Sequence, residues 1–152
     1  MNAPASRFQP LDPDYAARVR ASFERQAAMR LIGARLVAVE AGYAEIELDF
    51  RDDLTQQKGY VHGGIVGMIA DSACGYAAYT LMPATSSLVT VEYKINLLAP
   101  ALGARLRARG EVLKPGRSLS VTRGEVLTDQ GVCVAVMQQT LMMLPDTSDA
   151  RE

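Results

Sequence analysis

With 152 residues, 49% of them hydrophobic and 22% charged, the chain has the size and composition of one compact domain with a buried core. That arithmetic leaves no room for a second full domain and excludes a disordered chain or a repetitive fibre. Sixteen Lys and Arg against seventeen Asp and Glu leave a net charge of −1, so no cationic surplus exists to condense on nucleic acid or an anionic membrane, and small molecules or other protein chains are the expected partners.

Residues 1–11 read as a flexible arm. Asp12-Pro13 then offers an N-cap followed by proline at the first helical position, where its missing N–H costs nothing, and predicts a helix over about 13–30 that Gly33 terminates. Val19, Phe23 and Ala27 recur every four residues as its inward stripe. Residues 34–40 and the alternating run 44–50 read as two strands, with Ala41-Gly42 as the hairpin turn between them. A polar stretch follows over 51–60. Then His62-Gly63-Gly64 leads into IVGMIADSACGYAAYTLM, a run apolar on every face whose only charge is Asp71.

A helix of that kind, too short and too polar to span a membrane, has to be surrounded by protein. Pro83 ends it, and strand patterns follow over 88–98, 102–113, 117–128 and 131–143. The first places Val89, Val91, Tyr93, Ile95 and Leu97 on one face, with Thr90, Glu92, Lys94 and Asn96 on the other. The second sets Leu106, Ala108 and Val112 against Arg105, Arg107, Arg109 and Glu111. Pro115-Gly116 and Thr128-Asp129-Gln130-Gly131 supply the later turns, and residues 146–152 read as a flexible tail beyond a single domain over 12–145.

Hairpin-length connections argue for an antiparallel sheet, because each parallel pair would need a crossover helix. The fold class is therefore α+β, with a curved sheet of five to six strands wrapped around the apolar helix and an extra helix at the N-terminus. A second copy of the chain is expected to cover what the sheet leaves open. The N-terminus lacks the apolar core of a signal peptide and no run of about 18 apolar residues occurs, so the expected location is cytoplasmic.

Two cysteines, Cys74 and Cys133, are too few for a disulfide framework or a cysteine zinc site, and both read as core packing. His62 is the only histidine, which makes a histidine metal site improbable, so no metal and no cofactor are expected. Two consecutive glycines at a helix start leave the first N–H groups open to an oxygen acquiring negative charge; the same pair also serves a tight turn or close helix–sheet packing. Asp71 on an apolar helix needs either a partner or a wet cleft in which to do acid–base work. His62 suits a supporting role beside the turn. Gln56 carries an amide that can orient water or polarise a carbonyl, though a solvated loop amide is the ordinary reading. Arg105, Arg107 and Arg109 are expected to pair across strands with Glu45, Glu47 and Asp49.

QQKGYVHGGIVGMIADSACGYAAY, followed by TVEYKINLLAPALG and LKPGRSL, resembles the PaaI-like acyl-CoA thioesterases of the hotdog-fold superfamily over about residues 30–143. The resemblance implies a long helix wrapped by an antiparallel sheet, a dimer joined sheet edge to sheet edge, and usually a dimer of dimers. It implies that Asp71 is the general base or nucleophile and that the Gly63 backbone N–H polarises the thioester carbonyl, with Gly64 beside it against substrate. Gln56 falls where many members carry Asn, His62 has a positioning role, and Thr90 falls where a Ser or Thr helps place water. Gly63 and Asp71 of one cleft are expected from opposite subunits, and coenzyme A enters as part of the substrate; of the basic residues near the sheet's edge and turns, Lys114 among them, Arg117 next to a glycine turn is the candidate for its phosphates. The alternative is a hotdog module that binds an acyl-CoA without cleaving it.

Overall fold

The structure is a computed structural model that describes residues 7–147 and residue 149. Helices α1 (Tyr15–Arg25) and α2 (Ala27–Ile32) precede strands β1 (Arg35–Glu40) and β2 (Tyr43–Asp49). A single 3-10 turn at Asp52–Leu54 leads to the long helix α3 (Gly63–Tyr79). Strands β3 (Ser87–Leu97), β4 (Arg105–Lys114), β5 (Leu119–Thr128) and β6 (Cys133–Leu144) complete the chain. They form one antiparallel sheet in the order β1-β2-β4-β5-β6-β3, so the strand that follows α3 in sequence lands at the far edge. No helix among the described residues is long and apolar enough to cross a membrane.

The sheet curves around α3, and a cross-strand pair of glycines sets how closely. Gly110 on β4 faces Gly124 on β5. A Cβ at Gly110 would lie 2.3 Å from the Ala73 carbonyl oxygen, and one at Gly124 would lie 2.8 Å from Cys74 Sγ. Backbone therefore meets helix where any side chain would hold them apart. Ile46, Leu48, Ala108 and Leu141 fill the inner face, and along α3 Ile69, Ala73, Cys74 and Ala77 are buried to within 1%. One stripe of α3 is less covered: Ile65, Met68 and Asp71, each three residues apart, are only half-buried.

The N-terminal helix differs from expectation in two respects. It begins at Tyr15, because the Asp12 carboxylate accepts the Asp14 N–H (2.9 Å) and pairs with Arg18 (2.7 Å), which places Pro13 before the helix. Arg18 also donates to the carbonyls of Tyr79 and Met82 and lies 4.1 Å over the Tyr79 ring, tying α1 to the C-terminal end of α3. The chain then breaks at Gln26 (ψ 96°) into α2, so the inward residues become Met29 and Ile32, and Ala27 is exposed. Gly33 closes α2 in the left-handed conformation (φ 77°), with Ala34 N–H reaching back to Met29. Most of the expected arm and tail, residues 1–6, 148 and 150–152, lie outside the described residues. Within the described part, the Phe8 ring packs over Gly42 in the β1–β2 turn.

The largest departure lies in β3. A bulge between Thr90 and Glu92 makes Val91 an extra residue against β6, so Thr90 pairs with Leu141 while Tyr93 pairs with Gln139. Leu141 and Gln139 both face α3, so the bulge changes the phase of the strand: Leu88 and Thr90 point inward before it, and Tyr93, Ile95 and Leu97 after it. The expected single face running from Val89 to Leu97 is thus split, leaving Val89 and Val91 exposed. Cys133 is half-buried rather than part of the core.

Candidate active site

At the start of α3 the chain folds into a short loop closed by a bridge between Thr55 and Val61. Within it Gln56 N–H donates to Tyr60 O (2.8 Å), Gly59 N–H donates to Gln56 O (2.9 Å), and the Lys58 N–H donates to Gln56 Oε1. The amide oxygen of Gln56 is therefore engaged in its own turn. His62 caps the helix: its Nδ1 accepts the Gly64 N–H at 2.9 Å, and its carbonyl accepts from Ile65 and Val66. That geometry requires an unprotonated Nδ1 and occupies the Gly64 N–H, so Gly64 has none to offer substrate. The Gly63 N–H, by contrast, makes no hydrogen bond among the described residues. A Cβ at Gly63 would sit 2.7 Å from Leu97 Cδ1, so the residue type that opens this amide is also the one that packing beneath β3 requires.

Asp71 stands eight residues further along α3, about 12 Å away at the rise of a helix. Its Oδ1 accepts from Thr90 Oγ1 (2.8 Å) and from Gln139 Nε2, and Gln139 Nε2 also donates to Thr90 Oγ1 (2.7 Å). Among the described residues no hydrogen bond reaches Oδ2. Asp71 and Thr90 border a cleft of about 250 Å³ between α1 and α3, walled by Ser22, Gln26, Ser72, Gly75, Tyr76 and Leu88. The hydroxyls of Ser22 and Tyr76 approach to 3.3 Å across this wall. Asp71 is thus a half-buried, hydrogen-bonded carboxyl at a cleft rather than an enclosed ion, and among the described residues it has no arginine partner.

The sequence-derived residues fall into two groups. Gln56, His62, Gly63 and Gly64 gather at the helix start, whereas Asp71 and Thr90 meet two turns away. Thr90 reaches the carboxylate only because the bulge turns it inward. Gln139, fully buried on β6, joins the second group and was missed. Its signal is legible in retrospect, since an amide stands in the inward row Met137, Gln139, Leu141, where only apolar residues are expected. Arg117 is exposed in the β4–β5 turn, with no hydrogen bond or ion pair among the described residues. The other arginines pair as expected: Arg105 with Asp49 (2.7 Å), Arg107 with Glu47 (2.6 Å) and Arg109 with Glu45 (3.2 Å). Burial pushes the Cys74 thiol up to about 12, so it is no nucleophile. Among the described residues no group of three or more His, Cys, Asp or Glu side chains gathers as a metal ion would need.

The family model described as thioesterase superfamily matches residues 58–135, just over half of the 152 residues, and its span contains α3, Asp71 and the bulged strand. The chain belongs to the thioesterase superfamily. A thioesterase family protein from Silicibacter pomeroyi is 44% identical, with a TM-score of 0.84 over 86% of this chain and 98% of that one. The E. coli PaaI protein, from the phenylacetic acid degradation operon, superposes with a TM-score of 0.82 over 88% of this chain and 96% of its own; at 21% identity it supports the hotdog fold alone. The 1,4-dihydroxy-2-naphthoyl-CoA hydrolase of Listeria monocytogenes is 26% identical over 68% of this chain and 86% of its own length. A PaaI-like hotdog thioesterase, with six antiparallel strands around one central helix, is the architecture these likenesses share with the sequence expectation.

Proposed function

We propose that this thioesterase-superfamily chain hydrolyses an aryl- or fatty acyl-CoA thioester to the free acid and coenzyme A, with Asp71 as general base or nucleophile. The observation that carries the reading is the placing of Asp71: a carboxylate at a cleft with Oδ1 held by donors and Oδ2 unengaged among the described residues. In one form of the reaction Oδ2 takes a proton from water as the water oxygen bonds to the acyl carbon. In the other Oδ2 itself attacks, giving a mixed anhydride that water then opens. In both the carbon–sulfur bond breaks and the thiolate leaves with its electron pair, which calls for no metal or cofactor. The acyl-CoA hydrolase among the relatives supports a coenzyme A ester as substrate.

The carbonyl oxygen needs a donor while it carries charge, and the free N–H of Gly63 at the α3 N-terminus suits it. Within one chain that N–H is about 12 Å from Asp71, too far for both to reach one thioester. A second copy supplies it. Strand β3 is an edge of the sheet with exposed Val89 and Val91, followed by exposed Leu97 and Leu98, and pairing it with another copy would bury these residues. The working unit is then a dimer, with a dimer of dimers as the larger assembly. His62 holds the helix start in shape, the Gln56 turn packs beside it, Thr90 orients water through Asp71, and Arg117 is free to meet a coenzyme A phosphate.

Thiol release from a panel of acyl-CoA esters, run on wild type and Asp71→Asn, tests the proposal. Release by wild type and its loss in the variant, with acyl-CoA binding retained, is the expected result. Binding without release by wild type would instead assign a carrier or sensor of acyl-CoA. A strictly monomeric mass by light scattering would defeat the shared cleft.

A further inference from the structure

Gln139 is fully buried, yet among the described residues its amide oxygen Oε1 has no hydrogen-bond partner. It occupies the inward row of β6 between Met137 and Leu141, where a leucine would fill the space and leave nothing unsatisfied. Packing alone therefore does not explain a glutamine here. Its orientation is dictated by its neighbours: Nε2 faces Asp71 Oδ1 and Thr90 Oγ1, and turning the amide over would set Oε1 against an acceptor-only carboxylate. The side chain keeps its oxygen unpaired in order to keep its nitrogen on the acid.

We infer that Gln139 is a positioning residue: its buried amide, acting with Thr90, pins Oδ1 of Asp71 and leaves Oδ2 as the single carboxylate oxygen presented to the cleft. Three hydrogen bonds close a triangle of Gln139 Nε2, Thr90 Oγ1 and Asp71 Oδ1. Both amide hydrogens are used within it, as is the hydroxyl hydrogen, so the triangle fixes rotation about the Asp71 carboxylate as well as its place. Thr90 lies on an edge strand, whereas Gln139 lies on an interior one between β5 and β3, so the amide is the rigid member of the pair. The inference rests on the role of Asp71 proposed above.

The other groups around Asp71 are Arg25 and Asp149 across the cleft, paired with each other at 2.6 Å, then Tyr76 and Tyr79 on its walls, and Cys74 one turn along α3. Strands β3 and β6 present the uncharged Thr90 and Gln139, while Glu92 is held on the other side of the sheet by Thr140.

The test compares Gln139→Leu, Gln139→Glu and Asp71→Asn in the full chain, measuring kcat, KM, thermal unfolding and the pH profile of kcat/KM on whichever acyl-CoA the wild type cleaves fastest. Gln139→Leu should lower kcat at least about 10-fold with KM changed less than about 3-fold, as a freed carboxylate loses its aim. Gln139→Glu, which keeps the shape and places a second carboxyl against Oδ1, should move the acid limb of kcat/KM to higher pH, because two carboxyls in contact oppose each other's ionisation. It serves as the deciding variant if the leucine fails to fold. A purely structural role would lower the unfolding temperature and leave the profile unmoved, which overturns the inference. Wild-type kcat and pH profile in both Gln139 variants, alongside an inactive Asp71→Asn, would reject Gln139 while sparing Asp71. An active Asp71→Asn would reject the reading beneath it.

Discussion

The two ends of the sheet use polarity in opposite ways. Along β2 and β4 every polar residue looks outward: Glu45, Glu47 and Asp49 face Arg109, Arg107 and Arg105 in register, while Ile46, Leu48, Leu106 and Ala108 are buried beneath. Along β3 and β6 the order is inverted, with Thr90 and Gln139 turned inward onto α3 and Val89 and Val91 exposed. The first arrangement is what a half-buried strand does for stability alone. The second costs stability, since it buries an amide and exposes valines, and it occurs where the helix carries its one carboxylate. The break in alternation at Val91 thus accompanies the site, while the unbroken pairing of β2 with β4 serves as scaffold.

Making the same chemical change at both ends gives the largest contrast. Asp71→Asn should lower turnover by about 10²-fold or more, the scale of a lost general base, while thermal unfolding shows the fold retained. Asp49→Asn should leave turnover as it was. Equal effects of the two on hydrolysis would dissolve the distinction between site and scaffold.

A change beneath the scaffold end should act on stability instead. Gly110→Val would drive a side chain into the Ala73 carbonyl, 2.3 Å from the first added carbon, and overpacking of this kind costs about 3 kcal/mol. For a chain of this size that corresponds to a fall of roughly 6–12 °C in Tm, readable by calorimetry. An unchanged Tm would mean that helix and sheet can move apart freely there.

The thiols sharpen the comparison by pH. Cys74, raised to about 12 by burial against the sheet, should resist a thiol reagent at pH 8, and the half-buried Cys133 should react first. Because the folded pKa lies above the unfolded one, the stability that Cys74 contributes is complete below about pH 9 and is lost as pH rises toward 12. A denaturant titration of wild type and Cys74→Ala across that range reads the difference, and identical pH dependence would place the thiol in water.

The smallest effect belongs to the outer ladder. Guanidinium hydrogen bonds from Arg35 and Arg105 hold the Asp49 carboxyl well below the usual carboxylate range, so its contribution is present at neutral pH and fades as the solution is acidified below about pH 4. Asp49 and its arginines are close to half exposed, which screens the gain. Asp49→Ala should therefore cost no more than about 1 kcal/mol, and less in high salt; a larger loss, insensitive to salt, would make the ladder part of the core.

How much of this the amino-acid order determined by itself follows from the range of the forces involved. The β1–β2 hairpin, the apolar helix behind two glycines, the pairing of three arginines with three acids and the stop at Gly33 are set by side chains a few residues apart or by strict alternation, so they are legible without coordinates. Asp71 stood out for the same reason, as one charge on an apolar helix. Tertiary structure decided what depends on register between distant segments. The break at Gln26 follows from the need to bury Met29 and Ile32 against the rest of the fold, and the Gly110–Gly124 pair has meaning only when two strands lie side by side under α3. The bulge at Val91 carries no local signature, because one inserted residue changes the phase of a strand only relative to its neighbour. Thr90 therefore comes to face Asp71, and Gln139 comes to join it, through a pairing between β3 and β6 that brings together residues 49 positions apart.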